Sequence, residues 1–97
     1  MSMHNPPHPG EFITAVHLEP HGVSGRHLAA KLNVAPSTLN RILVGTSGIG
    51  PEMALRLAKT LGRSPESWLS LQHSYDLWQA RRRVDLAGVS PLKLATA

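Results

Sequence analysis

The stretch SGRHLAAKLNVAPSTLNRIL, residues 24–43, decides the fold. Leu28, Ala29 and Leu32 are spaced to share one face of a helix, and Leu39 and Ile42 share one face of a second. Asn33 stands between them, where the chain must turn, and Asn tolerates the left-handed backbone that ends a helix sharply. Ser24 is placed as the N-cap of the first segment. Val23 before it and Leu28 after it have the spacing of a hydrophobic staple. Pro36 suits the first helical position of the second segment. Ala35 before it is a weak cap, since Ser, Thr or Asp would contribute about 1 kcal/mol more. A small Ala29 facing Leu39 lets the two helices cross closely and steeply, the geometry of a helix-turn-helix. Ser37, Thr38, Asn40 and Arg41 remain on the outer face of the second helix.

That outer set carries chemistry suited to nucleic acid. Asn40 can pair with an adenine edge and Arg41 with guanine or a phosphate. Ser37 and Thr38, with Pro36 at the start of the helix, suit phosphates at a helix N-terminus. Arg26, Thr46 and Ser47 are further phosphate candidates. A solvated helix face is the bland alternative, and the motif outweighs it.

Upstream, residues 1–9 contain Pro6, Pro7 and Pro9 and read as a flexible arm. A first helix is expected from about Pro9 or Gly10 to Leu18, with Phe12, Ile13, Val16 and Leu18 toward the core, and with Pro20 and Gly22 ending it. Downstream, residues 44–50 hold three glycines and read as a loop. PEMALRLAKTLG, residues 51–62, predicts a fourth helix with an apolar stripe at Met53, Ala54, Leu57, Ala58 and Leu61. A fifth helix opens at Ser64-Pro65-Glu66 and runs to residue 83, carrying both Trp and the Tyr. Its stripe of Trp68, Leu71, Tyr75 and Trp78 reads as core and dimer interface, because aromatic anchors dominate subunit contacts. Residues 84–97 form a tail whose conformation stays open.

Ninety-seven residues make one small domain. Ten Lys and Arg against six Asp and Glu give a net charge of +4, favouring an anionic partner. Between Pro20 and Pro51 there is no acid, while Arg26, Lys31 and Arg41 occur there. No Cys is present, so disulfides and thiolate metal sites are excluded. His4 and His8, and likewise His17 and His21, are four apart, but prolines interrupt both pairs and no metal site is expected. The acids Glu11, Glu19, Glu52, Glu66, Asp76 and Asp85 are scattered with no nucleophile–base pairing, so no enzyme is expected. No apolar run could span a bilayer, and the N-terminal residues lack the basic and apolar regions of a signal peptide. A cytoplasmic protein is the expectation.

Four pieces of the chain, HPGE at residues 8–11, VAPSTLNRIL at 34–43, PEMALRLAKTLG at 51–62 and SPESWLSLQHSYDLW at 64–78, together carry a resemblance. The chain resembles HigA-type antitoxins, members of the Cro/C1 (XRE) helix-turn-helix class. The resemblance covers roughly residues 8–82 and implies an all-α, five-helix lambda-repressor-like domain at residues 10–83, with the motif at 24–43 and a dimerisation helix at 64–83. It further implies a homodimer that binds double-stranded operator DNA, represses its own operon and neutralises a HigB-type toxin that cleaves mRNA. Neither a cofactor nor a small-molecule substrate is implied. A stand-alone Cro/C1-type repressor is the alternative. Three departures stand out: Gly25 where the family often has a phosphate-clamping Gln, Asn33 where the turn usually has Gly, and the uncharged Val44-Gly45-Thr46-Ser47 where the loop often carries cations.

Overall fold

The computed structural model describes residues 5–95. Its first helix, α1 at Pro9–Ile13, continues into a π-helical turn at Thr14–Leu18 and a 3₁₀ turn at Glu19–His21. Pro20 explains the change of pitch: it has no N–H to give to Val16, and its ring crowds that carbonyl. The widened turn instead closes from the Glu19 N–H to the Thr14 carbonyl, and Gly22 ends the run at φ 63°. A π turn takes more residues per revolution, which carries the inward face from Val16 to His17 and Leu18. Val16, expected in the core, is accordingly 45% exposed. The half-buried His17 ring lies between Phe12 and Trp68, with centroids 5.8 Å from each.

The four remaining helices are α2 (Gly25–Leu32), α3 (Pro36–Leu43), α4 (Pro51–Leu61) and α5 (Pro65–Arg83). Ser24 caps α2 by accepting the His27 N–H at 3.1 Å, and Ser64 caps α5 by accepting the Ser67 N–H at 3.0 Å. Asn33 closes α2 in the left-handed region at φ 57°, ψ 48°. Leu28, Ala29, Leu39, Ile42, Leu57 and Trp68 form the centre of the core.

The segment before α1 departs from expectation. Pro6, His8 and Pro9 are buried, so the arm expected over residues 1–9 is part of the body from Pro6 onward; residues 1–4 lie outside the described residues. The physical reason is twofold. His8 Nδ1 accepts the Gly10 N–H at 2.9 Å and caps α1, while the His8 ring meets Tyr75 edge-on at 4.9 Å. Gly10 then lies so close to α3 that a Cβ there would sit 2.0 Å from the Ile42 carbonyl oxygen. HPGE is thus a cap followed by a close backbone crossing.

The α5 stripe also divides. Trp68 is fully buried within the chain, its indole N–H donating to the Gly62 carbonyl at 2.9 Å. It is a core residue and is removed from the expected dimer interface, because α5 starts inside the bundle and only later emerges. Leu71 and Tyr75 are half-buried, and Trp78 is half-buried beneath the Arg82 guanidinium at 4.5 Å. Leu77, by contrast, is 51% exposed. Beyond α5, residues 84–95 are exposed and outside any helix. They begin with two local bonds, Ala87 N–H to the Asp85 carboxylate and Val89 N–H to the Leu86 carbonyl, both at 2.9 Å.

Candidate nucleic-acid interface

The outer face of α3 is built as its sequence predicts. Leu39 and Ile42 anchor the helix in the core, which leaves Pro36, Ser37, Asn40 and Arg41 exposed and Thr38 half-buried. No side chain caps the start of α3, since Ala35 occupies the cap. Arg26 is exposed at the start of α2 and lines, with Gly25, Pro36, Ser37 and Asn40, a depression of about 290 Å³ between the two helices. The structure therefore brings Arg26 together with the first half of α3. Gly25 has a local reason: a Cβ there would sit 3.2 Å from Leu43 Cδ1, so the position tolerates little more.

The loop after α3 serves the helix end. The Arg41 carbonyl accepts the backbone N–H groups of Thr46 and Ser47 at 2.9 and 3.0 Å, and the Thr46 hydroxyl at 3.2 Å. Thr46, expected on a phosphate, has already given its hydroxyl proton to the chain and must break that bond to donate outward. Ser47 is half-buried at the same corner. Lys31 also lies apart from α3, at a depression shared with Arg56 and Lys59 near the end of α2. The basic field is consequently split between two faces.

Sequence reasoning missed the braces behind this surface. Arg56 on α4 donates to the Leu32 carbonyl at 2.8 Å and the Asn33 carbonyl at 3.2 Å, and pairs with Glu52 at 3.2 Å. It ties the turn between α2 and α3 to α4. Gln72 on α5 is buried; its carbonyl oxygen accepts the Ile49 N–H at 2.8 Å and its amide nitrogen donates to Asp76 at 2.9 Å. A Cβ on Gly48 would lie 2.9 Å from the Gln72 amide, so a side chain there would push that amide off the bonds it makes. His8 joins α1 to α5 through its ring contact with Tyr75. The Glu52–Arg56 spacing was visible in sequence as a helix pair, but the main-chain acceptors were not.

Comparison with known proteins places this geometry. The helix-turn-helix family HTH_3 matches residues 18–68. A curated relative, the uncharacterized HTH-type transcriptional regulator YddM of Escherichia coli (strain K12), is 40% identical over 87 residues, spanning 90% of this chain and 92% of the relative. Antitoxin HigA-1 of Vibrio cholerae serotype O1 is 38% identical over 74 residues, spanning 76% of this chain and 70% of the relative. Among solved structures, antitoxin GraA in complex with its operator superposes with a TM-score of 0.84 at 36% identity, covering 98% of this chain and 97% of that one. The all-α fold, the exposed face of α3 and these matches agree: the chain belongs to the helix-turn-helix family of Cro/C1 (XRE) type, among the relatives of the HigA antitoxins.

Proposed function

We propose that this chain is the antitoxin of a type II toxin–antitoxin pair, a cytoplasmic homodimer that binds its own operator and neutralises a HigB-type toxin. The carrying observation is that Asn40 and Arg41 stand exposed on a helix braced from α1 by Gly10, with its flanking turn and loop held by Arg56 and Gln72. Rigid presentation matters because a base-reading contact is worth about 1–3 kcal/mol only when its geometry is held. In this reading α3 enters the major groove, with Asn40 on adenine and Arg41 on guanine or a phosphate. Ser37 and the uncapped start of α3 meet a phosphate, and Arg26 holds the flanking backbone. Two-fold symmetry places the paired α3 helices about 34–36 Å apart, one turn of B-DNA.

Gel-shift with DNA upstream of the chain's own gene tests the interface. Asn40→Ala with Arg41→Ala should abolish the sequence-specific complex, and an unchanged shift would sink the assignment of α3. A stand-alone repressor is the second reading, in line with the relative named as an uncharacterized HTH-type transcriptional regulator. Co-expression with the neighbouring gene separates them: co-purification and relief of toxicity support the antitoxin, and absence of both supports the repressor.

A further inference from the structure

The last residues described are chemically odd for an exposed segment. Leu86, Val89, Leu92 and Leu94 are 64%, 67%, 80% and 74% exposed. Four large apolar side chains in nine residues is a patch that water penalises and that soluble chains normally cover. Leu92 and Leu94 are two apart, as on one face of an extended chain, and Lys93 between them is the one charged residue in 86–95. Val84 and Leu86 share a shallow depression with Leu77 and Ala80 of α5, the residues after them are exposed throughout, and the described chain measures 56 Å along its longest axis against 29 and 25 Å across. Yet the superposition on the operator-bound relative covers 98% of this chain and so takes in the tail.

A matching receptor lies at the other end of the chain. Beside α1 is a largely apolar groove of about 430 Å³ lined by Pro7, Phe12, Ala15, Val16 and Leu43, with Glu11 and Glu19 on its rim. Val16, 45% exposed in the π turn, is part of its lining. A chain whose only charge is a lysine between two leucines complements an apolar floor with two carboxylates at its edge.

We infer that the tail is an exchanged arm: Leu92 and Leu94 of one copy fill the α1 groove of a second copy, with Lys93 between Glu11 and Glu19. The inference rests on the homodimer in the functional reading and adds what closes it. Exchange around a two-fold axis buries both arms and leaves no further groove open, so assembly stops at two. It also joins the arm of one copy to the element that braces the other's α3 through Gly10.

The absence of native Cys makes a clean test possible. Two full-length variants, Val16→Cys with a tag and Leu94→Cys without one, are mixed, allowed to exchange and oxidised. A mixed-length disulfide dimer supports the arm exchange. Charge swaps provide an independent arm of the test. Lys93→Glu alone, or Glu11→Lys with Glu19→Lys alone, should each weaken dimerisation about tenfold, and combining them should restore it. Disulfides formed only between two copies of the same variant, none formed while sedimentation still shows a dimer, or protection of the Leu94→Cys thiol only by co-expressed toxin overturns the inference and leaves the homodimer standing. A wild-type chain that is monomeric at all concentrations overturns the homodimer and the arm together.

Discussion

At the scale of single residues, backbone contacts that need glycine and buried groups that need a partner set the strongest constraints. Gly10 is in a helix, where Ala would ordinarily gain about 0.5–1 kcal/mol. Here the Ile42 carbonyl leaves no room, and overpacking of this kind costs about 1–3 kcal/mol or more. Gly10→Ala should therefore lower stability by about 2 kcal/mol net, read as a lower urea midpoint with an unchanged slope. Gln72→Ala leaves the Ile49 N–H without its acceptor and should cost about 1–3 kcal/mol by the same measurement. His17 adds a pH dependence. Burial first, then the Arg63 and His21 charges, hold its imidazole below the ordinary value. The unfolded chain then takes up the proton first as the pH falls, so this contribution is flat above about pH 7 and turns destabilising below about 6.5. His17→Gln should flatten that part of an equilibrium urea-unfolding series across pH; a slope that survives the substitution assigns it elsewhere.

Among the elements, the helix-turn-helix was the most legible because each of its signals is local. The Ser24 cap, the Asn33 turn and Pro36 at the first helical position all stand where sequence placed them. The π turn after α1 was not legible, because apolar spacing assumes a constant pitch and Pro20 changes it. Trp68 was misplaced for a related reason: a stripe shows which side chains share a face, not where a neighbouring helix stops covering it. The uncapped α3 separates stability from recognition. Ala35→Ser and Ala35→Asp should each add about 1 kcal/mol by capping α3. The carboxylate would also repel phosphate at the helix start, so on gel-shift the Asp variant should bind DNA more weakly and the Ser variant should not. Equal binding by both would move the phosphate contact away from this end of α3.

For the whole molecule, the parts hidden from the sequence are the long-range ones. Arg56 reaching the Leu32 and Asn33 carbonyls, Gln72 holding Ile49 and His8 packing on Tyr75 join segments far apart in the chain. Side-chain spacing carries no record of such contacts. The candidate interface was legible as a set at Arg26, Ser37, Asn40 and Arg41, and less so at Thr46, where a hydroxyl is used within the chain. Operator binding should weaken steeply with salt, and Arg26→Ala should reduce the log–log salt slope by about 2 for a dimer, one phosphate per copy. An unchanged slope would remove Arg26 from the DNA. The three donors gathered on the Arg41 carbonyl have an electrostatic consequence of their own. Aligned peptide dipoles leave about half a negative charge at a helix C-terminus, and at this end of α3 that charge would face a polyanion. Drawing two amides and a hydroxyl onto one carbonyl screens it. A loop without a single cation can thus lower the repulsion between this helix end and DNA, by neutralising the helix rather than by attracting the phosphate.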